Sequence, residues 1–466
     1  MKRNVFNGKM WAMCLVLVLV LTGCGSSPAG NVQQGEDVQS SEQAASNDAN
    51  MADDAVADME SSSVVEESSV DSDGQEATDT QAGEESSEQP SQEESKEPEI
   101  PAEPEIESLK AYCEKYFKLG VGINGSTLDN LTLNNEQYME MVKQHFNSVT
   151  LSNLMKSCYI LKQDLSIENA KNGDGTPVLT YECIDPTLQW CMDNGVGMRG
   201  HTLVWHTQAP DWFFREGYES DGAYVDKETM LSRMESYIQQ LMTHVQDNYP
   251  GVVYCWDVVN EAVDPDKGDP NSAFYCRTEL DGTPNPWYVT IGEDYVEMAF
   301  TYARKYAAEG VKLFYNDFNT YDTKKREYIY TLCEGLKEKG LIDGIGMQGY
   351  YGTSYPNQNA IEGTIIRFSE LELELQLTEF SVSVDEENEE QFKAQAQRYF
   401  NILLALHNYD IEGGGKANIT NVTFFGLIDH YVPGDKTNSR LWDKNFEPKP
   451  AYDKVKAVLK NVYGKN

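Results

Sequence analysis

Asn260-Glu261 follows directly on the apolar run Val253-Tyr254-Cys255-Trp256-Asp257-Val258-Val259, and a second glutamate, Glu379, closes another such run, Leu371 to Thr378. Both runs are short and rich in β-forming residues, so they read as strands, and a glutamate where a buried strand ends projects into the pocket that the sheet rim forms. Two carboxyls facing one pocket are the equipment of glycoside hydrolysis: one protonates the departing oxygen, and the other attacks the sugar carbon or activates water. The acid has to keep its proton at working pH while its counterpart stays ionised, so their surroundings are expected to differ. The bland alternative is a pair of surface charges or helix caps.

The elements that must carry these residues alternate. Met230, Leu231, Met234, Tyr237, Ile238, Leu241, Met242 and Val245 recur at helical spacing, and Tyr249-Pro250-Gly251 ends that helix just before the strand that leads to Glu261. Val296, Phe300, Ala303 and Ala307 line a further helix that stops at Gly310, after which Lys312-Leu313-Phe314-Tyr315 leads to Asn316-Asp317. Strands are expected near Leu119–Ile123, Phe146–Leu151, Gly197–Leu203, Val253–Val259, Lys312–Tyr315, Gly344–Gln348, Glu374–Thr378 and Val422–Leu427. Eight strands with intervening helices predict an α/β fold, a (β/α)8 TIM barrel, with the glutamates at the C-terminal ends of strands four and seven. No short repeat is visible, which argues against a solenoid.

The first quarter of the 466 residues has a different character. Lys2, Arg3 and Lys9 precede the apolar stretch Met10 to Thr22, which is too short to span a bilayer and reads as a secretory signal. Leu21-Thr22-Gly23-Cys24 resembles a bacterial lipobox, which implies cleavage before Cys24, a lipid on its sulfur, and a place on the extracellular face of the bacterial cell membrane; a plain signal peptide is the alternative. Residues 25–107 are Ser, Glu, Asp, Gln and Ala with one basic residue, Lys96, and cannot bury a core, so they read as a disordered acidic tether. A flexible coil of that length averages ~50 Å end to end. The tether supplies more than half of the formal net charge of −39, and an acidic chain of this kind is an unsuitable partner for nucleic acid. Of the nine cysteines, Cys113, Cys158, Cys183, Cys191, Cys255, Cys276 and Cys333 fall in the barrel, an odd set without CxxC spacing. They read mostly as small buried apolar residues, with a Cys183–Cys191 bridge as the alternative.

Within residues 108–466, the segments Phe146-Asn147-Ser148-Val149-Thr150, Arg199 to His206, Trp256 to Glu261, Tyr315-Asn316-Asp317, Gly344-Ile345-Gly346-Met347-Gln348, Leu377-Thr378-Glu379 and Lys449-Pro450-Ala451-Tyr452 together resemble glycoside hydrolase family 10, the endo-β-1,4-xylanases. The resemblance implies that Glu261 is the general acid/base and Glu379 the nucleophile of a retaining double displacement on xylan or xylo-oligosaccharides, without metal or organic cofactor. It implies that His201, Trp205 and Gln208 bind the sugar beside the scissile bond, Trp205 as an apolar platform, and that Asn260 bonds the sugar 2-hydroxyl. Asn153, Lys156 and Gln348 fall on family sugar-binding positions. His206 reads as a satisfied core histidine. His201 and Trp205 would share a face of an extended strand, a spacing that does not favour a metal site. A monomer is expected.

The chain departs from the family pattern at several points. Ser152 and Ser157 replace a glutamate and a tryptophan, Phe425 replaces a tryptophan on strand eight, and Pro433 stands where another tryptophan is usual, so the wall of the glycone site is thinned. Tyr350 replaces a histidine that donates to the nucleophile, and Ser381 replaces the aspartate that orients that histidine. The two changes make sense together, because a tyrosine hydroxyl donates without a tautomer to be set. The same chemistry on another β-glycan or a decorated oligosaccharide is one alternative reading, and a non-catalytic carbohydrate-binding lipoprotein is another. The lipobox reading has a direct test: Cys24→Ala is expected to move the protein from the membrane to the soluble fraction, and equal membrane retention would refute it.

Overall fold

The computed structural model describes residues 107–464 apart from 126 and 431–437; Cys24, the signal, the acidic stretch up to residue 106 and Pro433 lie outside the described residues. Eight strands run β1 (Lys118–Ile123), β2 (Ser148–Leu151), β3 (Gly197–Trp205), β4 (Val253–Asn260), β5 (Lys312–Asp317), β6 (Gly344–Met347), β7 (Glu374–Ser383) and β8 (Asn418–Phe424). Each pairs in parallel with its sequence neighbour, and β8 pairs with β1, Leu119 opposite Val422, so the sheet closes on itself. Helices α1 (Glu136–His145), α2 (Asp185–Asn194), α3 (Lys227–Asn248), α4 (Asp294–Tyr306), α5 (Thr323–Glu338), α6 (Gln358–Ser369), α7 (Glu389–Tyr409) and α8 (Pro450–Val462) fill the intervals. This is the (β/α)8 barrel that the strand count implied.

The helices form where the apolar spacing placed them. α3 begins at Asp226, whose carboxylate accepts the Thr229 N–H at 2.8 Å, and buries Met230, Met234, Tyr237, Ile238, Leu241, Met242 and Val245 against the sheet. Each such side chain removed from water contributes about 1.5–3 kcal/mol. Several boundaries differ from the sequence reading. Phe146 ends α1 rather than starting a strand, its N–H returning to the Val142 carbonyl. α4 stops at Tyr306, so Ala307 lies beyond it. The last strand occupies Asn418–Phe424 and not Val422–Leu427, because Phe425 N–H turns to the Phe380 carbonyl and Gly426 takes a left-handed φ of +107° with Arg440 packed against it.

Apolar residues fill the layer between sheet and helices, whereas polar side chains cross the inside of the barrel. Arg199 on β3 donates through Nε to Gln376 Oε1 on β7 at 2.7 Å and grips Asp257 on β4 with two N–H groups at 2.6 and 3.0 Å. Tyr254 on β4 meets Ser148 of β2 at 2.8 Å and Asn421 of β8 at 3.0 Å. β3 and β7 are opposite strands, as are β4 and β8, so these bonds span the lumen. Burial works against ionisation of Asp257, but Arg199 and His201 outweigh it and its pKa is lowered. Removing one member of a buried ion pair strands the other. Asp257→Asn is therefore expected to cost about 3–5 kcal/mol in urea unfolding, with most of the loss recovered in Arg199→Met/Asp257→Leu. A cost below about 1 kcal/mol would show that the pair does not hold the lumen.

Candidate active site

The C-terminal rim of the barrel encloses a pocket lined by Ser152, Lys156, His201, Trp205, Asn260, Glu261, Gln348, Tyr350, Glu379 and Phe425. Glu261 follows the last residue of β4 with φ at +58°, a left-handed conformation that costs a non-glycine residue about 1–2 kcal/mol. Its backbone is held on each side. The Glu261 N–H donates to the Asn316 carbonyl at 2.9 Å, and its carbonyl accepts Arg277 Nε–H at 3.0 Å. Glu379 lies inside β7 and not at its end, because the strand continues beyond the rim and pairs Ser381, Val382 and Ser383 with Tyr350, Tyr351 and Gly352.

Both carboxyls are buried, at 5% exposure each, and each sits in a frame of neutral donors. Glu261 Oε1 accepts from Gln348 Nε2 at 2.8 Å and Asn260 Nδ2 at 3.1 Å, while Oε2 accepts the Trp205 indole N–H at 3.0 Å. Glu379 Oε1 accepts from Asn316 Nδ2 at 3.0 Å, and Oε2 accepts the Tyr350 hydroxyl. Asn316 Nδ2 also donates to Asn260 Oδ1 at 2.9 Å, and its Oδ1 is fixed by the Thr378 hydroxyl at 2.7 Å, so one amide joins the two halves of the site. Gly346 lies beneath it because a Cβ there would come within 2.3 Å of Asn316 Oδ1.

The pKa of Glu261 is raised, first by burial and then by the negative charge of Asp317, with Glu379 adding to the effect; the Gln348 hydrogen bond and the Arg277 charge oppose it. A buried carboxyl that keeps its proton above the usual range is suited to donate it. His201 bonds Asp257 Oδ2 through Nδ1 at 2.8 Å, which leaves Nε2 for the pocket. Lys156 sits 4.5 Å over the Trp205 ring and is steadied by Asn153 Oδ1 at 3.2 Å. Phe425 packs edge-on against Tyr350 with ring centres 5.9 Å apart.

Several expectations need correction. Gln208 does not line the pocket: it takes φ +50°, its backbone carbonyl holds Ser157 and Cys158, and its Oε1 is buried without a partner among the described residues. Asn153 is also absent from the lining and acts behind Lys156, bonded in turn to Asn124 at 3.1 Å. Trp205 is more than an apolar platform, since one ring face is covered by Lys156 and its N–H is spent on Glu261. His206 is not a satisfied core histidine. Its Nε2 is buried and unpartnered among the described residues, and the nearby cations Arg277 and Lys325 face Asp264 at 3.2 Å and Asp317 at 2.8 Å. Burial and those two charges push its pKa well below the usual imidazole range. Cys183 and Cys191 are both free, so no bridge joins them; five of the seven described cysteines are buried, Cys183 is partly so and Cys158 is exposed.

Sequence reasoning gave no role to Asn316 or Asp317, although both stood in a quoted motif, and it passed over Arg277 altogether. Arg277 lies 16 positions beyond Glu261 in an irregular segment, where spacing carries no signal.

A closed barrel whose rim carries two buried glutamates in a shared frame of carboxamides has the make-up of a glycoside hydrolase. The model of glycosyl hydrolase family 10 matches residues 108–458, and the chain belongs to that family. It is similar to a Caldicellulosiruptor saccharolyticus protein, 44% identical over 309 residues that cover 64% of this chain and 95% of the relative. It is 38% identical to endo-1,4-beta-xylanase B of Butyrivibrio fibrisolvens over 323 residues, 69% of this chain but only 48% of that longer protein. Among solved structures, the CBM22-1 and GH10 modules of a Clostridium thermocellum endo-1,4-beta-D-xylanase, crystallised with xylohexaose, superpose with a TM-score of 0.69 at 31% identity, covering 76% of this chain and 68% of that one.

The frame around Glu261 predicts a pH effect. Gln348 donates to the carboxylate and so favours its ionised form; Gln348→Leu removes that donor and raises the Glu261 pKa further. The basic limb of the kcat/KM profile is expected to move to higher pH, while turnover falls. An unmoved or lowered basic limb would contradict the assignment of that hydrogen bond.

Proposed function

We propose that the chain is a retaining endo-β-1,4-xylanase acting on xylan or xylo-oligosaccharides, with Glu261 as general acid/base and Glu379 as nucleophile. The observation that carries this reading is the pair of buried glutamates facing one pocket at the barrel rim. Burial and the charge of Asp317 raise the Glu261 pKa, which suits it to carry the proton, and Glu379 is held beside it by the Asn316 amide and the Tyr350 hydroxyl.

In the first step a Glu379 carboxylate oxygen attacks the anomeric carbon as the glycosidic bond breaks, and Glu261 gives its proton to the departing oxygen. In the second, Glu261, now ionised, takes a proton from water as that water displaces Glu379 from the sugar. Asn260 Nδ2 has a second hydrogen free of Glu261 with which to meet the sugar 2-hydroxyl, Lys156 presents a donor along the same wall, and His201 turns its Nε2 to it. The Tyr350 hydroxyl donates to Glu379 Oε2 and so steadies the nucleophile. No step calls on a metal or organic cofactor. The names of the relatives support xylan as the substrate class. Ser152 and Phe425 in the pocket wall favour, as a second reading, the same chemistry on a decorated or different β-glycan. The lipobox at Cys24 and the acidic stretch that follows support an enzyme anchored by lipid at the outer face of the membrane.

Glu261→Ala and Glu379→Ala are each expected to abolish xylan hydrolysis with the fold intact. With an activated aryl glycoside the Glu261 variant should still form the glycosyl-enzyme, because a good leaving group needs no proton, while the Glu379 variant should not. NMR of the first product should show the β-anomer. Near wild-type activity in either variant, or initial α-product, would sink the assignment. Reducing-sugar release from xylans, β-glucans and short oligosaccharides separates the substrate readings.

A further inference from the structure

Between β4 and α4 the chain leaves Glu261, makes an excursion and returns at Arg277, which is 1% exposed and packed under the segment it left. The excursion is closed by backbone bonds: Asp264 N–H to the Tyr275 carbonyl at 3.0 Å, Asp269 N–H to the Cys276 carbonyl at 2.9 Å, and a bridge between Val263 and Cys276. Gly268 sits so tightly inside it that a Cβ would come within 2.2 Å of the Tyr275 carbonyl oxygen. The returning arginine then addresses consecutive peptide groups. Its Nε–H donates to the Glu261 carbonyl at 3.0 Å, its backbone N–H donates to the Ala262 carbonyl at 2.7 Å, and its Nη1 faces Asp264 Oδ2 at 3.2 Å. On the other side the Val263 N–H donates to the Tyr315 hydroxyl at 3.1 Å, which itself donates to Asp317 at 2.5 Å.

From this geometry we infer that Arg277 is a positioning residue for the acid/base: it clamps the left-handed Glu261 backbone from behind and so fixes where the carboxyl meets the departing oxygen. A non-glycine residue keeps a positive φ only when its surroundings over-determine it. Here the N–H of Glu261 is held by β5 and its carbonyl by Arg277, and the side chain can point to the pocket only while both grips hold. Arg277 is absent from the pocket lining, so it acts through Glu261 and not on the sugar. Asp264 supplies the counter-charge that lets a buried guanidinium serve there, and its Oδ1 also caps the turn at Asp266 and Lys267, both at 3.0 Å.

The inference rests on Glu261 being the acid/base, and the test separates the two claims. Aryl β-xylobiosides with phenols ranging from good to poor leaving groups are compared by kcat/KM in Arg277→Lys, which keeps the charge, and in Arg277→Met/Asp264→Asn, which removes the clamp without stranding an ion. With the poorest leaving group the double variant is expected to lose about a hundredfold, the effect of a misplacement near 1 Å, and with the best leaving group little. Arg277→Lys should lie between it and the parent. A merely structural role would lower kcat/KM equally across the series, and that result, or no loss at all, overturns the inference. Glu261→Ala runs alongside: a steep dependence there with a flat one in the Arg277 variants defeats the clamp alone, whereas a flat dependence in Glu261→Ala defeats the acid/base reading and the clamp with it.

Discussion

The side-chain amide of Asn316 is the constraint on which the site depends. One nitrogen donates both to Asn260, which holds Glu261, and to Glu379, while the amide oxygen is pinned by Thr378 from the next-but-one strand. Two carboxyls buried in one pocket repel each other when both are ionised, and a frame of neutral donors keeps them in place without adding a third charge. The positive charges stand further back: Arg277 and Lys325 each face an aspartate behind the rim. The acidity of Glu261 is thus set by what surrounds the pocket as well as by what lines it.

The same economy of polar contacts runs down the barrel axis. Arg199, Asp257, Gln376, Tyr254 and Asn421 link opposite strands, and His201 at the top of this column is oriented by the Asp257 carboxylate that also answers Arg199. A charge pair at the floor of the pocket therefore fixes the ring that faces the sugar. Such a lumen gains little stability relative to an apolar one, but it pins the strand register, since a slip of one residue would bury an uncompensated guanidinium.

Much of this was legible in the sequence because strands declare themselves by composition and by what stops them. Each of the eight strands overlaps the apolar run that placed it, and Glu261 and Glu379 meet in the pocket to which the strand order assigned them, joined by Tyr350, which the family resemblance placed there. Strand eight was misplaced because Phe424 and Phe425 look alike in a pattern, whereas a left-handed glycine at Gly426 decides that the chain turns there. Gln208 and Asn153 stand back from the pocket lining, since a residue type names a hydrogen-bonding capacity and not a direction. Arg277 was invisible for a related reason: its partners are backbone carbonyls, which leave no trace in residue identity.

The closure of the sheet has a consequence for how the molecule comes into being. β1, among the first described elements to leave the ribosome, has one edge that is satisfied only by β8, with Leu119 waiting for Val422. Until the last eighth of the chain has emerged, the nascent sheet carries two open edges, the kind of surface on which incomplete chains pair wrongly with one another. Long-range pairing of this sort also slows the final collapse relative to local helix docking. Since Glu379 stands on β7, beside the seam that β8 closes, the pocket is assembled in the same event that removes those edges.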